Sequence, residues 1–134
     1  MKVSQLAKVS GVSAETVRYY TREGLLHAAR DPANGYQLYD NIARQRLNFI
    51  IQARQLGFSI KEVKNIITYA EQGHSPCPMV RDLLQHKVTE SEAKIIELQR
   101  AVDNMKKALA DWQKQPDKQP DGYSICHLIE NWSK

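Results

Sequence analysis

At 134 residues with a formal net charge of +4, the chain fits one compact domain, or a small domain with an extension. Residues 1–58 carry eight Lys or Arg against four Asp or Glu, and residues 59–134 carry eleven of each sign. The basic excess, which would meet a polyanion, therefore belongs to the front half. No apolar stretch of signal-peptide length opens the chain and nowhere do eighteen apolar residues run together. A cytoplasmic protein with no place in a membrane is expected, its Cys77 and Cys126 reduced thiols rather than a disulfide.

Val3, Leu6, Ala7 and Val9 give a short apolar face that Gly11 breaks. Ser13 has the character of an N-cap, its hydroxyl able to satisfy an orphan amide of the next turn, and Glu15 stands favourably near the positive end of that helix. The helix turns Val17 inward, leaves Thr16, Arg18, Tyr19 and Tyr20 for DNA, and ends at Gly24. Helix, tight turn and helix within about twenty residues is the helix-turn-helix spacing.

The stretch from Leu25 to Tyr39 is too broken for a helix. Pro32 and Asn34-Gly35 signal a turn, and Tyr36, Leu38 and Tyr39 supply strand-prone neighbours, which predicts a small wing. A third helix should run from about Asp40 to Gln55 and stop at Gly57. Ser59 and Glu62 then form a capping box that opens a fourth helix towards Glu71. Gly73 closes it, and Pro76 and Pro78 are expected to hold Cys77 in a stiff loop.

The clearest periodicity follows. Leu84, Val88, Ser91, Ile95, Leu98, Val102, Met105, Leu109 and Trp112 recur at alternating spacings of four and three. That is a heptad seam of about four repeats with charged residues on its other faces. A helix of roughly 35 residues would reach roughly 50 Å. One helix cannot bury such a stripe on so small a domain, so pairing with a second copy is expected, the alternative being a stripe folded back on its own chain. Beyond Trp112 a polar, proline-punctuated loop leads to Ile125, Leu128, Ile129 and Trp132 at helical spacing. Ser124 is read as the cap of that last helix, with Cys126 and His127 in its first turn.

Four blocks now stand in order: VSAETVRYY (Val12 to Tyr20), REGLL (Arg22 to Leu26), NGYQLY (Asn34 to Tyr39) and LGFSIKE (Leu56 to Glu62). Together they make the chain resemble the MerR family of bacterial transcription regulators over nearly its full length. The resemblance implies a mainly α fold: a winged helix-turn-helix with helical connector over residues 1–72, a loop and long antiparallel dimerisation helix over 73–112, and a C-terminal effector loop and short helix over 113–134. It implies double-stranded promoter DNA as partner, a homodimer on a palindrome between two widely spaced promoter hexamers, and activation by bending and untwisting so that RNA polymerase meets them aligned. It places Ser13, Thr16, Arg18, Tyr19, Tyr20 and Arg22 at the recognition helix and Tyr36 on the phosphate-gripping wing, with Gln37 departing from the Arg of many relatives.

The same resemblance bears on the effector. In the metal-sensing branch a cysteine at the position of Cys77 marks regulators of divalent ions, and Cys126 matches the last cysteine of the metal-binding loop. In an antiparallel dimer Cys77 of one chain would lie near Cys126 of the other. The further loop cysteines usual in that branch, between about Trp112 and Gly122, are absent. Two thiolates are few for a soft divalent ion such as zinc, cadmium, lead or cobalt. His127 and His74 are the available extra donors, and His86 is a weaker one. Two other readings use the same fold: a thiol switch for oxidants or electrophiles, and a sensor of an organic ligand with structural cysteines, against which the short C-terminal segment counts. No phosphate loop, paired-carboxylate constellation or nucleophile elbow supports an enzyme. A coiled-coil adaptor would leave the basic recognition helix and its wing without a purpose.

Overall fold

Residues 1–133 are described in the computed structural model, which divides into two compact units, Met1–Leu84 and Gln85–Lys134. In the first, α1 (Val3–Ser10) and α2 (Ala14–Arg22) are joined by Gly11, whose φ of 73° ends α1 in a left-handed cap. Ser13 starts α2 as its side chain predicts, accepting the Thr16 amide at 3.1 Å. The wing is a two-stranded antiparallel hairpin of β1 (Ala29–Arg30) and β2 (Gln37–Leu38), with Ala29 opposite Leu38. Its turn is fastened locally: Asp31 Oδ1 accepts the Ala33 amide at 2.9 Å and Asn34 Oδ1 accepts the Tyr36 amide at 3.0 Å. Gly35, at φ 72°, supplies the left-handed residue that such a turn requires.

The chain start is tied to the wing. Lys2 forms a bridge to Leu38, the Met1 nitrogen donates to the Tyr39 carbonyl at 2.6 Å, and the Tyr39 amide returns a bond to the Met1 carbonyl at 2.7 Å. Helix α3 (Asn41–Gln55) is capped by Asp40, which accepts the Ala43 amide at 2.9 Å. Helix α4 (Ile60–Glu71) opens on the expected box: Ser59 Oγ accepts the Glu62 amide at 3.1 Å, and Glu62 accepts the Ser59 amide at 2.8 Å. Leu6, Val17, Leu25, Leu47, Phe58 and Val63 meet in one buried cluster. Fully burying side chains of this size contributes about 1.5–3 kcal/mol each. Arg46 on α3 and Glu71 on α4 close the rim with an ion pair of 2.6 Å.

Three expectations need correction. Val9 does not share the buried face of α1: it is half exposed, because the helix buries only Leu6 and Ala7. Cys77 is not in a loop. It opens α5 (Cys77–Trp112), with the Val80 amide bonded to the Pro76 carbonyl at 2.9 Å. Pro78 fits there because an amide of the first helical turn has no intrahelical partner to lose. Met79, Val80, Leu83 and Leu84 then pack on the core of the first unit.

The third correction lies in the second unit. The terminal helix is a single turn, α6 (His127–Glu130), preceded by Cys126 rather than capped by Ser124. Ser124 Oγ instead donates to Glu130 Oε2 at 2.7 Å, while Glu130 Oε1 accepts the amides of Ile125 at 2.7 Å and Cys126 at 3.2 Å. The carboxylate at the end of the turn does the capping that Ser124 was expected to do. Ile125 and Ile129 point to solvent, and Trp132 packs edge-on to Trp112 with ring centroids 6.4 Å apart. Along α5 the heptad residues Ile95, Leu98 and Met105 are 65%, 66% and 67% exposed. These three central positions of the stripe are left uncovered by their own chain, whereas Leu84 and Trp112 at its ends are partly covered. No helix among the described residues is long and apolar enough to cross a membrane.

Candidate nucleic-acid interface and effector residues

Helix α2 turns Val17 into the core and leaves Glu15, Arg18 and Arg22 exposed along one stripe, at spacings of three and four. Arg18 and Tyr36 come together: they line one cleft with Lys2, Val3, Ser4 and Gln37. The Lys2 ammonium lies 5.1 Å from the centre of the Tyr36 ring, a cation–π contact on the wing tip. Arg can hold guanine or phosphate bidentately, and Tyr can bond phosphate while packing on sugar. The cleft thus joins recognition helix, wing and the start of α1 in one basic surface.

Ser13, Thr16, Tyr19 and Tyr20 line a second hollow with Glu15, Arg54 and Ile60. The hydroxyls of Ser13 and Thr16 are 2.9 Å apart. Tyr19 and Tyr20 stand with ring centroids 5.5 Å apart, and Tyr20 also packs against the core. The wing is braced from inside by Tyr39, whose hydroxyl meets Thr21 Oγ1 at 2.7 Å. That bond ties wing to recognition helix. Glu15 accepts from Arg22 at 3.0 Å and lies 3.6 Å from Arg18. The Arg22 hydrogen bond and charge, with Arg18 behind them, hold the Glu15 carboxyl below its ordinary range.

The four candidate metal donors fall in different units. In the first, Cys77 is exposed at the start of α5, and His74 stacks on Tyr69 with centroids 5.0 Å apart. In the second, Cys126 is a half-buried free thiol directly before His127. The His127 Nε2 sits 2.9 Å from the Pro116 carbonyl, an acceptor, so Nε2 is the donor and Nδ1 is the nitrogen that a neutral ring would offer to an ion. A histidine ligand is commonly fixed in this way, its second nitrogen donating to a backbone carbonyl. Glu130, tied to Ser124, Ile125 and Cys126, is held below its ordinary range by the hydroxyl and two amides that it accepts from. Among the described residues of a single chain, no group of three or more His, Cys, Asp or Glu stands ready to hold an ion.

Sequence reasoning overlooked Lys2, Ser4 and Glu130. Lys2 reaches the wing only through a pairing 36 positions away, which no local pattern reveals. Glu130 was visible four residues after Cys126, the spacing of one helical turn.

Residues 1–70 match the family described as MerR HTH family regulatory protein, and residues 44–108 match the one described as MerR, DNA binding. The chain is 33% identical over 99 residues to the HTH-type transcriptional regulator ZntR of Escherichia coli (strain K12), a match spanning 73% of this chain and 70% of that one. It is 29% identical over 133 residues to the mercuric resistance operon regulatory protein of Bacillus cereus, spanning 99% and 97%. In structure it is similar to the transcription regulator PbrR691 of Ralstonia metallidurans CH34 in complex with lead(II). That likeness has a TM-score of 0.71 at 25% identity and covers 98% of each chain.

Proposed function

Since the chain belongs to the MerR family of helix-turn-helix regulatory proteins, we propose that it is a metal-responsive transcriptional regulator with its sensing site shared between two copies. It is not an enzyme. On this reading residues 1–72 read promoter DNA, 73–112 pair with a second copy, and 113–134 hold the effector. Cys77 of one subunit and Cys126 of the other supply two thiolates to a divalent ion, with His127 and then His74 as further donors.

The observation that carries the reading is the turn around Cys126. Its neighbour in sequence, His127, already donates Nε2–H to the Pro116 carbonyl, which leaves Nδ1 as the ring nitrogen available to an ion. One chain alone offers too few donors, and three or four are the usual need. A second chain is called for independently by the exposed apolar stripe on α5. The mercuric regulator and the lead-bound PbrR691 support a metal of soft character, with zinc, cadmium, lead and cobalt as the ions to test. Bound there, the ion would supply a tie between thiolates of two subunits. The rest is done by the chain: the start of α5 packs on the DNA-reading unit, so a change in how Cys77 is held bears directly on the helices that face DNA. The family acts on promoter DNA as dimers that serve RNA polymerase, and activation here is assigned to distortion of a palindromic operator.

The test is ion uptake by the reduced homodimer, measured by elemental analysis after exposure to each ion under thiol protection. Tight uptake that vanishes in Cys77→Ser and in Cys126→Ser is expected. No uptake of any ion would sink the metal reading and leave DNA binding intact.

A further inference from the structure

Within the basic front half, the four acidic residues do different jobs. Asp31 fastens the wing turn, Asp40 caps α3, and Glu23 pairs with Lys64 on α4 at 3.2 Å. Glu15 alone among these four stands on the exposed stripe of the recognition helix, where it pairs with the two arginines of that stripe. It lies in the first turn of α2, one residue beyond Ala14, and its side chain is 67% exposed. In a helix-turn-helix, the first residues of the second helix are those that reach base edges. A carboxylate placed there must lose water when the helix enters the groove, and an unpaired buried charge is costly. It also repels every phosphate it passes.

We propose that Glu15 is a specificity-determining residue of this regulator, accepting a hydrogen bond from the N4 amino group of a cytosine in each operator half-site. The major groove presents few donors. Guanine offers only acceptors there, as does thymine, whereas cytosine offers its amino group without a neighbouring acceptor on the same base. A carboxylate therefore tolerates cytosine and penalises guanine and thymine. The two arginines sharpen the choice. Each Glu15 oxygen faces one guanidinium, at 3.0 Å for Arg22 and 3.6 Å for Arg18. The pairing holds Arg18 on the base-reading stripe and withholds Arg22 from the backbone, so binding that relies on phosphates alone is weakened. An exposed carboxylate is ionised at neutral pH, as this role needs, and the two arginines favour that form.

The inference rests on DNA binding and not on the metal reading, so the test omits any effector. Full-length wild type, Glu15→Gln and Glu15→Ala homodimers would each select from a random-sequence duplex library, with circular dichroism confirming the fold of each. Wild type should return a palindrome with one cytosine per half-site whose preference depends on Glu15. In Glu15→Ala that preference should fall by about tenfold, and in Glu15→Gln it should move towards adenine, which glutamine reads bidentately. Both variants should bind unselected DNA more tightly, with a salt dependence steeper by about one charge. Folded variants that select the wild-type sequence with an unchanged salt slope would overturn the proposal and leave Glu15 a surface ion pair.

Discussion

The two units of this chain solve the burial problem differently. Among the described residues, Met1–Leu84 holds every buried hydrophobic one except Ala108, and its helices end in side-chain caps and left-handed glycines. Gln85–Lys134 buries Ala108 and exposes Ile95, Leu98, Met105, Leu109, Ile125 and Ile129. The first unit has a core of its own. The second displays the apolar surface that a protein–protein interface needs. A reader of DNA must hold its shape before it meets a ligand, whereas a sensing element shared between two copies, as proposed here, would be completed only on assembly.

The largest test of that contrast is a truncation in the core. Phe58→Ala should cost about 3–5 kcal/mol in denaturant unfolding, enough to unfold the front unit under mild conditions. A cost below about 1 kcal/mol would deny that a single cluster holds it together. Leu98→Asp addresses the other side. It should leave the helix-turn-helix folded and weaken dimerisation by about 100-fold, read by sedimentation across a concentration series, because a charge would be buried in the seam. Dimerisation at wild-type strength would mean that the stripe faces something else.

Smaller effects sharpen the same comparison. Ser59→Ala removes one arm of the capping box on α4 and should cost about 1 kcal/mol, felt across the whole first unit. Glu130→Ala should act locally instead. Amide exchange at Ile125 and Cys126 should quicken while the amides of α3 and α4 keep their protection; a change spread over both units would argue against their independence. The smallest effect is in pH. Glu15 has a lowered folded-state pKa, so its small contribution is fully present above the ordinary carboxylate value of 4.5 and is lost as pH falls through the lowered one. A thermal scan from pH 6 downward (about one unit per step) should show that loss in wild type and its absence in Glu15→Gln.

How far the sequence could be read divides along the same line. Ser13, Asp40, Ser59 and the glycines act on residues within three or four positions, so the helices of the front unit could be placed from local pattern. The heptad seam was equally plain, because periodicity survives whether or not the partner is present. Three local signals misled. Pro76 and Pro78 read as breakers, although a proline costs nothing in the first turn of a helix. Ser124 read as a cap, although Glu130 takes the amides that it might have served. Apolar spacing after Ser124 read as a helix, although a single turn is all that forms. Of the cleft proposed to face DNA, Arg18 and Tyr36 could be named from the sequence and Lys2 could not, because its place depends on a bridge to Leu38.

The central claim is that one sensing site draws its two thiols from different subunits, and mixed dimers test it most directly. Cys77→Ser and Cys126→Ser chains would be prepared separately and also co-expressed, and ion uptake of each purified dimer measured. Each variant homodimer should take up no ion, and the mixed dimer should regain one Cys77–Cys126 pair and half the wild-type uptake per dimer. A mixed dimer as empty as the two homodimers, or a variant homodimer that binds as wild type does, would contradict a site shared between subunits.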